Sequence, residues 1–214
     1  MSVAAPSVVA IHMESDCFRD GCSSIAQNLL DVLDNGKYRD CSVLKLPVSL
    51  AAWQSEHRTA RKRVARAERH GYRFEVVKRH EYVDDIYEIN TSLKERQGRP
   101  MSDGYLQRPS RTPLPAYACG RHAIRTYGVL HGTNLAAYLW LYRAGELALV
   151  SSILGHADHL DEGIMYLLVA GALETEISHG QGALVYNRHD SGTDGLRFFK
   201  ERCGFEERRV EWCP

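Results

Sequence analysis

The 214-residue chain has no CxxC pair, and its six cysteines (Cys17, Cys22, Cys41, Cys119, Cys203 and Cys213) match no zinc or disulfide framework. A chain of this length needs no covalent staples, so reduced thiols are expected. No stretch reaches eighteen uninterrupted apolar residues, which excludes a membrane-spanning helix. The apolar start, Met1 to Ile11, lacks the basic n-region and long h-region of a signal peptide, so a cytoplasmic protein is expected. Net charge is missing too: 27 basic residues balance 27 acidic ones, and whole-chain charge selects no partner. There is no internal repeat and no low-complexity tract. What remains, 44% apolar and 25% charged residues, is ordinary globular material, enough for one domain over residues 1–214.

Hydrophobic periodicity divides the chain into strands and helices. Short strands are expected at Ser7–His12, Ser42–Leu46 and Arg73–Lys78. A helix is expected over Ser23–Leu33, stopped by Asn35-Gly36. A longer one runs from Leu50 to His70, with Trp53, Ala60, Val64 and Ala67 as its stripe and Gly71 as its stop. Tyr82–Arg96 reads as a third helix. A loop rich in Gly, Pro and Arg then covers residues 97–118, and loops so long inside compact domains are usually either functional or disordered. Three strands follow at Ile124–His131, Asn134–Tyr142 and Glu146–Leu154, with Gly132-Thr133 and Ala144-Gly145 as turns. A long apolar helix (Leu160–His179), a strand (Gly182–Tyr186), a helix (Gly192–Arg202) and a strand (Glu206–Trp212) complete the chain. The second half thus reads β-β-β-α-β-α-β, an order similar to the core of the GNAT acyltransferase fold. The expected fold is α/β, a mixed and mainly antiparallel central sheet flanked by helices.

Charge is concentrated in one place. Residues 57–79 hold nine Lys or Arg against Glu68 and Glu75, a local charge of +7. Arg58, Lys62, Arg66 and Arg69 follow a 4-4-3 spacing and share one helical face. A salt-laced surface helix would alternate signs. This one does not, which leaves a solvated basic face or a surface for a polyanion such as an RNA backbone. His156, Asp158, His159 and Asp161 fit no standard zinc spacing and read as a capped helix start, so no metal is expected. Cys119 and Cys203 show no neighbouring base and read as ordinary thiols. Tyr138, Trp140 and Tyr142 alternate along one strand and share a face, as core side chains or as a ligand platform. No residue stands out as a general base.

Three segments carry a closer resemblance. His57 to Tyr72, with its Arg61-Lys62-Arg63 run and Gly71, resembles the basic "RRN-x-RKAEK-x-G" helix of Fem-type aminoacyltransferases. Gly195-Leu196-Arg197-Phe198-Phe199-Lys200 with Cys203-Gly204-Phe205 resembles their "G-L-x-x-F-K-x-x-x-G" segment. Asn90 to Pro100 resembles their helix-to-loop segment, where "R-x-G" is common. Fem-type enzymes move an amino acid from aminoacyl-tRNA to a peptide amine. Single-domain relatives, such as the alanyl-tRNA-dependent transferase of pacidamycin-type uridyl peptide assembly, act in antibiotic pathways. The resemblance implies a donor tRNA held by Arg58, Lys62, Arg66 and Arg69, and an amine acceptor that is a small peptide or peptidyl-nucleoside. It implies Lys200 as the catalytic, electrostatic residue. Arg96 and Arg99 would anchor a phosphate or carboxylate, Asn90 and Ser92 would orient the acceptor, and Tyr142 and Phe199 would complete the substrate site. No cofactor is implied.

The donor can be tested within the sequence. Acetyl-CoA-dependent GNAT enzymes place a Q/R-x-x-G-x-G/A loop after the fourth core strand, where backbone N–H groups hold a pyrophosphate. Here Ser152 to Gly163 fills that place with Asp158, Asp161 and Glu162. Acids there would repel a pyrophosphate, so aminoacyl-tRNA is favoured over an acyl-CoA. An acetyl- or acyl-CoA-dependent N-acyltransferase with a degenerate pyrophosphate loop, and a non-catalytic RNA- or nucleotide-binding domain, are the alternatives.

Overall fold

The structure, a computed structural model, describes residues 7–13, 29, 33, 40–114, 119–180, 182–189 and 192–213. Its centre is the antiparallel meander β6 (His122–His131), β7 (Asn134–Ala144) and β8 (Leu147–Gly155). Both hairpin turns use glycine at positive φ, Gly132 at 63° and Gly145 at 56°. Before the meander come β1 (Val8–His12), β2 (Asp40–Lys45), α1 (Leu50–Glu56), α2 (Arg58–Arg69), β3 (Tyr72–Val77) and α3 (Val83–Thr91). A small hairpin, β4 (Glu95–Arg96) with β5 (Arg99–Pro100), opens the long loop. After the meander come α4 (Ile164–Ser178), β9 (Ala183–Arg188), α5 (Asp194–Arg202) and β10 (Glu206–Cys213).

Eight strands form one mixed sheet in the order β1-β10-β2-β9-β8-β7-β6-β3. Helix α4 crosses between β8 and β9, so these two pair in parallel, while β10 returns antiparallel to β2. Alternation along β7 separates the faces: Ala137, Leu139 and Leu141 join one core cluster, and Tyr138 joins another. The first cluster is covered by α1, α2 and α4 through Trp53, Ala60, Val64, Ala67, Leu168 and Leu173. Helix α4 is apolar nearly all round, as its burial between sheet and α2 requires. Gly171 of α4 lies so close to Phe74 of β3 that a Cβ would stand 2.2 Å from the ring. The other face carries α3, through Ile86 and Ile89. It also carries Leu29 and Leu33, buried beside Ile11, Met13 and Val43. These two residues are helical; the rest of the helix expected over Ser23–Leu33 lies outside the described residues.

Three boundaries differ from expectation, each for a tertiary reason. The helix expected over Leu50–His70 is two helices, broken at His57 (φ −107°, ψ 64°). The break lets Trp53 donate from Nε1 to the Cys203 carbonyl at 2.8 Å, while the His57 ring lies against Gly204. Apolar periodicity does not register a one-residue interruption of this kind. The helix expected over Tyr82–Arg96 stops at Thr91, because Ser92 Oγ turns back to the Ile89 carbonyl at 2.8 Å. Gln97 (φ 55°) and Gly98 (φ 71°) then close the β4–β5 hairpin, both in the left-handed region that such a two-residue turn demands. The helix expected from Leu160 begins at Ile164, preceded by a 3-10 helix over Ala157–Glu162.

Candidate functional site

Strands β8 and β9 hold register only over residues 147–149 and 183–185. Beyond Leu149 they diverge, and the opening holds a cavity of about 610 Å³. This is the crevice beyond a parallel pair where open α/β sheets place ligands, and its size suits a ligand of small-molecule dimensions, about 300–1,000 Å³. One wall is β8 from Ser151 to Gly155, and the opposite wall is Tyr186 of β9 with Leu196 and Phe199 of α5. The long loop closes a third side with Met101, Ser102 and Tyr105, and the β4–β5 hairpin contributes Glu95, Arg96 and Gln97.

The loop is docked rather than free over its described part. Arg108 and Arg111 both pair with Asp84 of α3, Arg111 at 2.7 Å. Arg108 also lies 4.6 Å from the centre of the Tyr87 ring. The Tyr105 hydroxyl then reaches Ser152 Oγ at 3.0 Å across the cavity wall. Ser151 sits at a shift of the β7–β8 register between Trp140 and Leu141, a bulge that takes one residue out of the ladder at the start of the cavity wall.

Arg96 is the cation of the site. Its Nη2 donates to the Ile89 carbonyl at 2.7 Å, Ser92 Oγ at 3.0 Å and the Gly155 carbonyl at 3.0 Å. Its Nε is buried with no partner, and no carboxylate pairs with it among the described residues. Burial pulls the guanidinium below its ordinary pKa. A partly desolvated cation that lines a cavity without a carboxylate partner among the described residues suits an anion. Ser92 positions it, since its Oγ also accepts from the Ala157 N–H at 3.1 Å and so links α3 to the end of β8.

The remaining sequence candidates divide. Phe199 lines the cavity, with its ring edge-to-face against Tyr166 at 5.1 Å. Asn90 is buried and outside the lining, its Oδ1 accepting from the Tyr138 hydroxyl at 2.7 Å. Arg99 is exposed on the outer side of the hairpin and outside the lining. Tyr142 lies away from the cavity, half-buried and stacked on Trp140 at 6.0 Å. Lys200, expected at the reacting centre, is 0% exposed and does not line the cavity. One residue turns a helix by 100°, so with Phe199 facing the cavity Lys200 faces the sheet. There its Nζ donates to the Arg188 carbonyl at 2.7 Å and sits 4.9 Å from the Tyr186 ring centre.

The place of a pyrophosphate loop is taken by the 3-10 helix over Ala157–Glu162. His156 caps it, accepting from the Asp158 N–H at 3.4 Å. Glu162 is not a free acid: Arg66 pairs with it at 3.2 Å and His70 bonds its other oxygen. These bonds, that of His70 foremost, hold its carboxyl below the usual range. Gly163 (φ 89°) brings the start of α4 so close to α2 that a Cβ would meet the Arg63 carbonyl oxygen at 2.5 Å. The basic helix therefore lies directly against the segment that carries Leu160 into the cavity. Arg58, Arg61, Lys62 and Arg69 remain exposed, and no acid pairs with them among the described residues. His159 bonds the Tyr72 hydroxyl at 2.7 Å, and burial, then His156 and His131, lower its pKa. Among the described residues no three His, Cys, Asp or Glu side chains gather as a metal site.

Sequence reasoning missed Tyr105, Ser151, Ser152, Glu95, Gln97 and Tyr186. The one available signal was Gly98, two residues after Arg96, which marks a turn that aims its neighbours.

No family profile matches the chain, and no curated protein matches it. Among solved structures it is similar to FemX, with a TM-score of 0.63 at 11% identity over 86% of this chain and 66% of that one. It is similar to L-PGS from Bacillus licheniformis, with a TM-score of 0.52 at 15% identity over 85% of this chain and 63% of that one. A C-terminal domain assigned to lysylphosphatidylglycerol synthetase in Agrobacterium fabrum gives 0.54 at 14% identity, over 79% of this chain and 57% of that one. The chain thus spans 57% to 66% of the length of these structures. At such identities the likeness is one of fold alone, an α/β architecture with a mixed, mainly antiparallel sheet flanked by helices. No described helix is long and apolar enough to cross a membrane.

Proposed function

We propose that this protein is an acyltransferase that moves an amino acid from aminoacyl-tRNA to the amine of a small peptide or peptidyl-nucleoside, forming a peptide bond. Alanine and an antibiotic pathway are the specific forms favoured by the pacidamycin-type resemblance. The observation that carries the reading is the contact between a cationic helix, whose Arg58, Lys62 and Arg69 have no acid partner among the described residues, and the segment that carries Leu160 into the cavity. Exposed Arg58, Lys62 and Arg69 of α2 would hold the tRNA backbone, and Arg66, through Glu162, would fix α2 to the 3-10 helix beside the cavity. The Agrobacterium fabrum domain, similar in fold, is assigned to a lysylphosphatidylglycerol synthetase, a neighbouring chemistry.

The ester of the donor is already activated, so positioning supplies much of the rate. Arg96 would take a phosphate or carboxylate of the bound substrates. Glu95, the carboxylate of the cavity lining, suits the acceptor ammonium before it loses its proton. Attack of the amine nitrogen on the ester carbon places negative charge on the carbonyl oxygen. A backbone N–H at the Ser151 bulge, or the Ser152 and Tyr105 hydroxyls, would receive it. The ester C–O bond then breaks, and the tRNA 3′ end leaves as its hydroxyl. This arrangement moves the electrostatic role from Lys200 to the β8 wall.

Binding to RNA checks the first half. Each phosphate contact adds roughly 0.7–0.9 to the slope of log K against log salt, so Arg58→Ala/Lys62→Ala/Arg69→Ala should lower the slope by about 2–3. Fluorescence anisotropy with tRNA across a salt series measures it. An unchanged slope would remove α2 as the tRNA surface.

A further inference from the structure

At the end of the sheet remote from the cavity, a second reactive arrangement stands apart from the proposed transfer chemistry. Cys119 Sγ lies 3.1 Å from Nδ1 of His122, and Nε2 of the same ring lies 3.3 Å from the Met13 carbonyl oxygen. A carbonyl only accepts, so the ring proton belongs on Nε2, and Nδ1 is left with its lone pair toward the thiol. His122 is 0% exposed and cannot turn away, whereas Cys119 is half-buried and reachable. The connecting backbone is pinned: Arg143 Nη1 donates to the Gly120 carbonyl at 3.4 Å, and the Gly145 N–H donates to the Arg121 carbonyl at 3.2 Å. A nucleophile, a base in reach of it and a third group orienting that base are the parts of an activated thiol. His122 pairs with Ala144, while Gly155 of the cavity pairs with Ala137. The two sites are therefore separated by roughly 24 Å of strand, at about 3.4 Å per residue.

We propose that Cys119 and His122 form an activated thiol site whose covalent ligand is a low-molecular-weight disulfide. His122 Nδ1 takes the S–H proton, and the Cys119 thiolate attacks one sulfur of the disulfide. A new S–S bond forms as the reagent's own S–S bond breaks. The departing sulfur leaves with the electron pair and takes the proton from His122, so Cys119 is oxidised and the departing thiol is reduced. The thiols of Cys41 and Cys203 offer a contrast within the chain. Burial, foremost, pushes Cys41 up to about 12, and burial raises Cys203 as well.

Iodoacetamide labelling of the full chain, resolved by peptide mass spectrometry, tests the site. Half-buried Cys213, whose Sγ lies 3.8 Å from the Glu211 carbonyl with no imidazole bonded to it among the described residues, is the internal reference. Near neutral pH, Cys119 should label about tenfold faster than Cys213, and its rate should level off with rising pH while that of Cys213 still climbs. The mixed disulfide with oxidised 2-mercaptoethanol should form first on the Cys119 peptide. His122→Asn should bring Cys119 down to the rate of Cys213. If that variant unfolds, the wild-type pH profile alone decides. A Cys119 rate that merely parallels that of Cys213 at every pH would overturn the proposal.

Discussion

Glu176→Ala should lower the unfolding free energy by about 3–5 kcal/mol, because it leaves a buried cation without its counter-charge. Arg143 and Glu176 are 1% and 0% exposed. Arg143 Nε and Nη2 donate to the two carboxylate oxygens at 2.9 Å each, and the Tyr127 hydroxyl donates to Oε1. Burial opposes the Arg143 charge, and the bonds and charge of Glu176 more than restore it. The triad ties α4 to β6 and β7 across the main core cluster. Removing one member costs far more than the pair contributes, since desolvation of the remaining charge is no longer offset. Removing both members should cost less. Arg143→Met/Glu176→Leu is therefore expected to recover most of the stability lost in the single variant. Urea unfolding of the three variants measures this. A Glu176→Ala protein within about 0.5 kcal/mol of the parent would mean the network is not what holds α4 to the sheet.

The second large effect is expected at Arg96. Hydrogen bonds to a charged group contribute about 1.5–3 kcal/mol, so Arg96→Met should lower kcat/KM for transfer by about 10- to 100-fold, mainly through KM. Lysine should not restore it. A point charge on a flexible stem cannot bond Ile89, Ser92 and Gly155 through one amino group and keep a second donor for the substrate. Steady-state kinetics of the Met and Lys variants, with circular dichroism as the check on folding, decide between an anchoring and a structural role. Full activity in Arg96→Met would leave the cavity without its anion site.

The second half of the fold was legible because its signals are local. Alternation along β6, β7 and β8, the turn glycines Gly132 and Gly145, and the uninterrupted apolar helix α4 each follow from residues close in sequence. What was not legible depends on contacts far along the chain. The break at His57 exists because Trp53 and His57 dock on the turn at Cys203 and Gly204. The pairing of β1 with β10 joins the two ends of the chain and has no local signature. The site shows the same division. Arg96 and Phe199, named from motif segments, both line the cavity, and Ser92, named from the same segment as Arg96, bonds its guanidinium. Ser151 and Tyr105 were not, since a bulge is visible only once two strands are in register, and a loop tyrosine only once the loop is docked. Lys200 was placed at the centre by its motif, but the helix turns it toward the sheet, where it holds the end of β9.

The central claim is that the donor is aminoacyl-tRNA. It is tested most directly by incubating the protein with a pool of charged tRNAs and candidate peptide amines, and reading products by mass spectrometry. The account predicts an aminoacylated acceptor that disappears when the tRNA is digested with ribonuclease beforehand, and no thermal stabilisation by acetyl-CoA. Product that survives ribonuclease, or a sizeable rise in Tm at modest acetyl-CoA concentration, would contradict it.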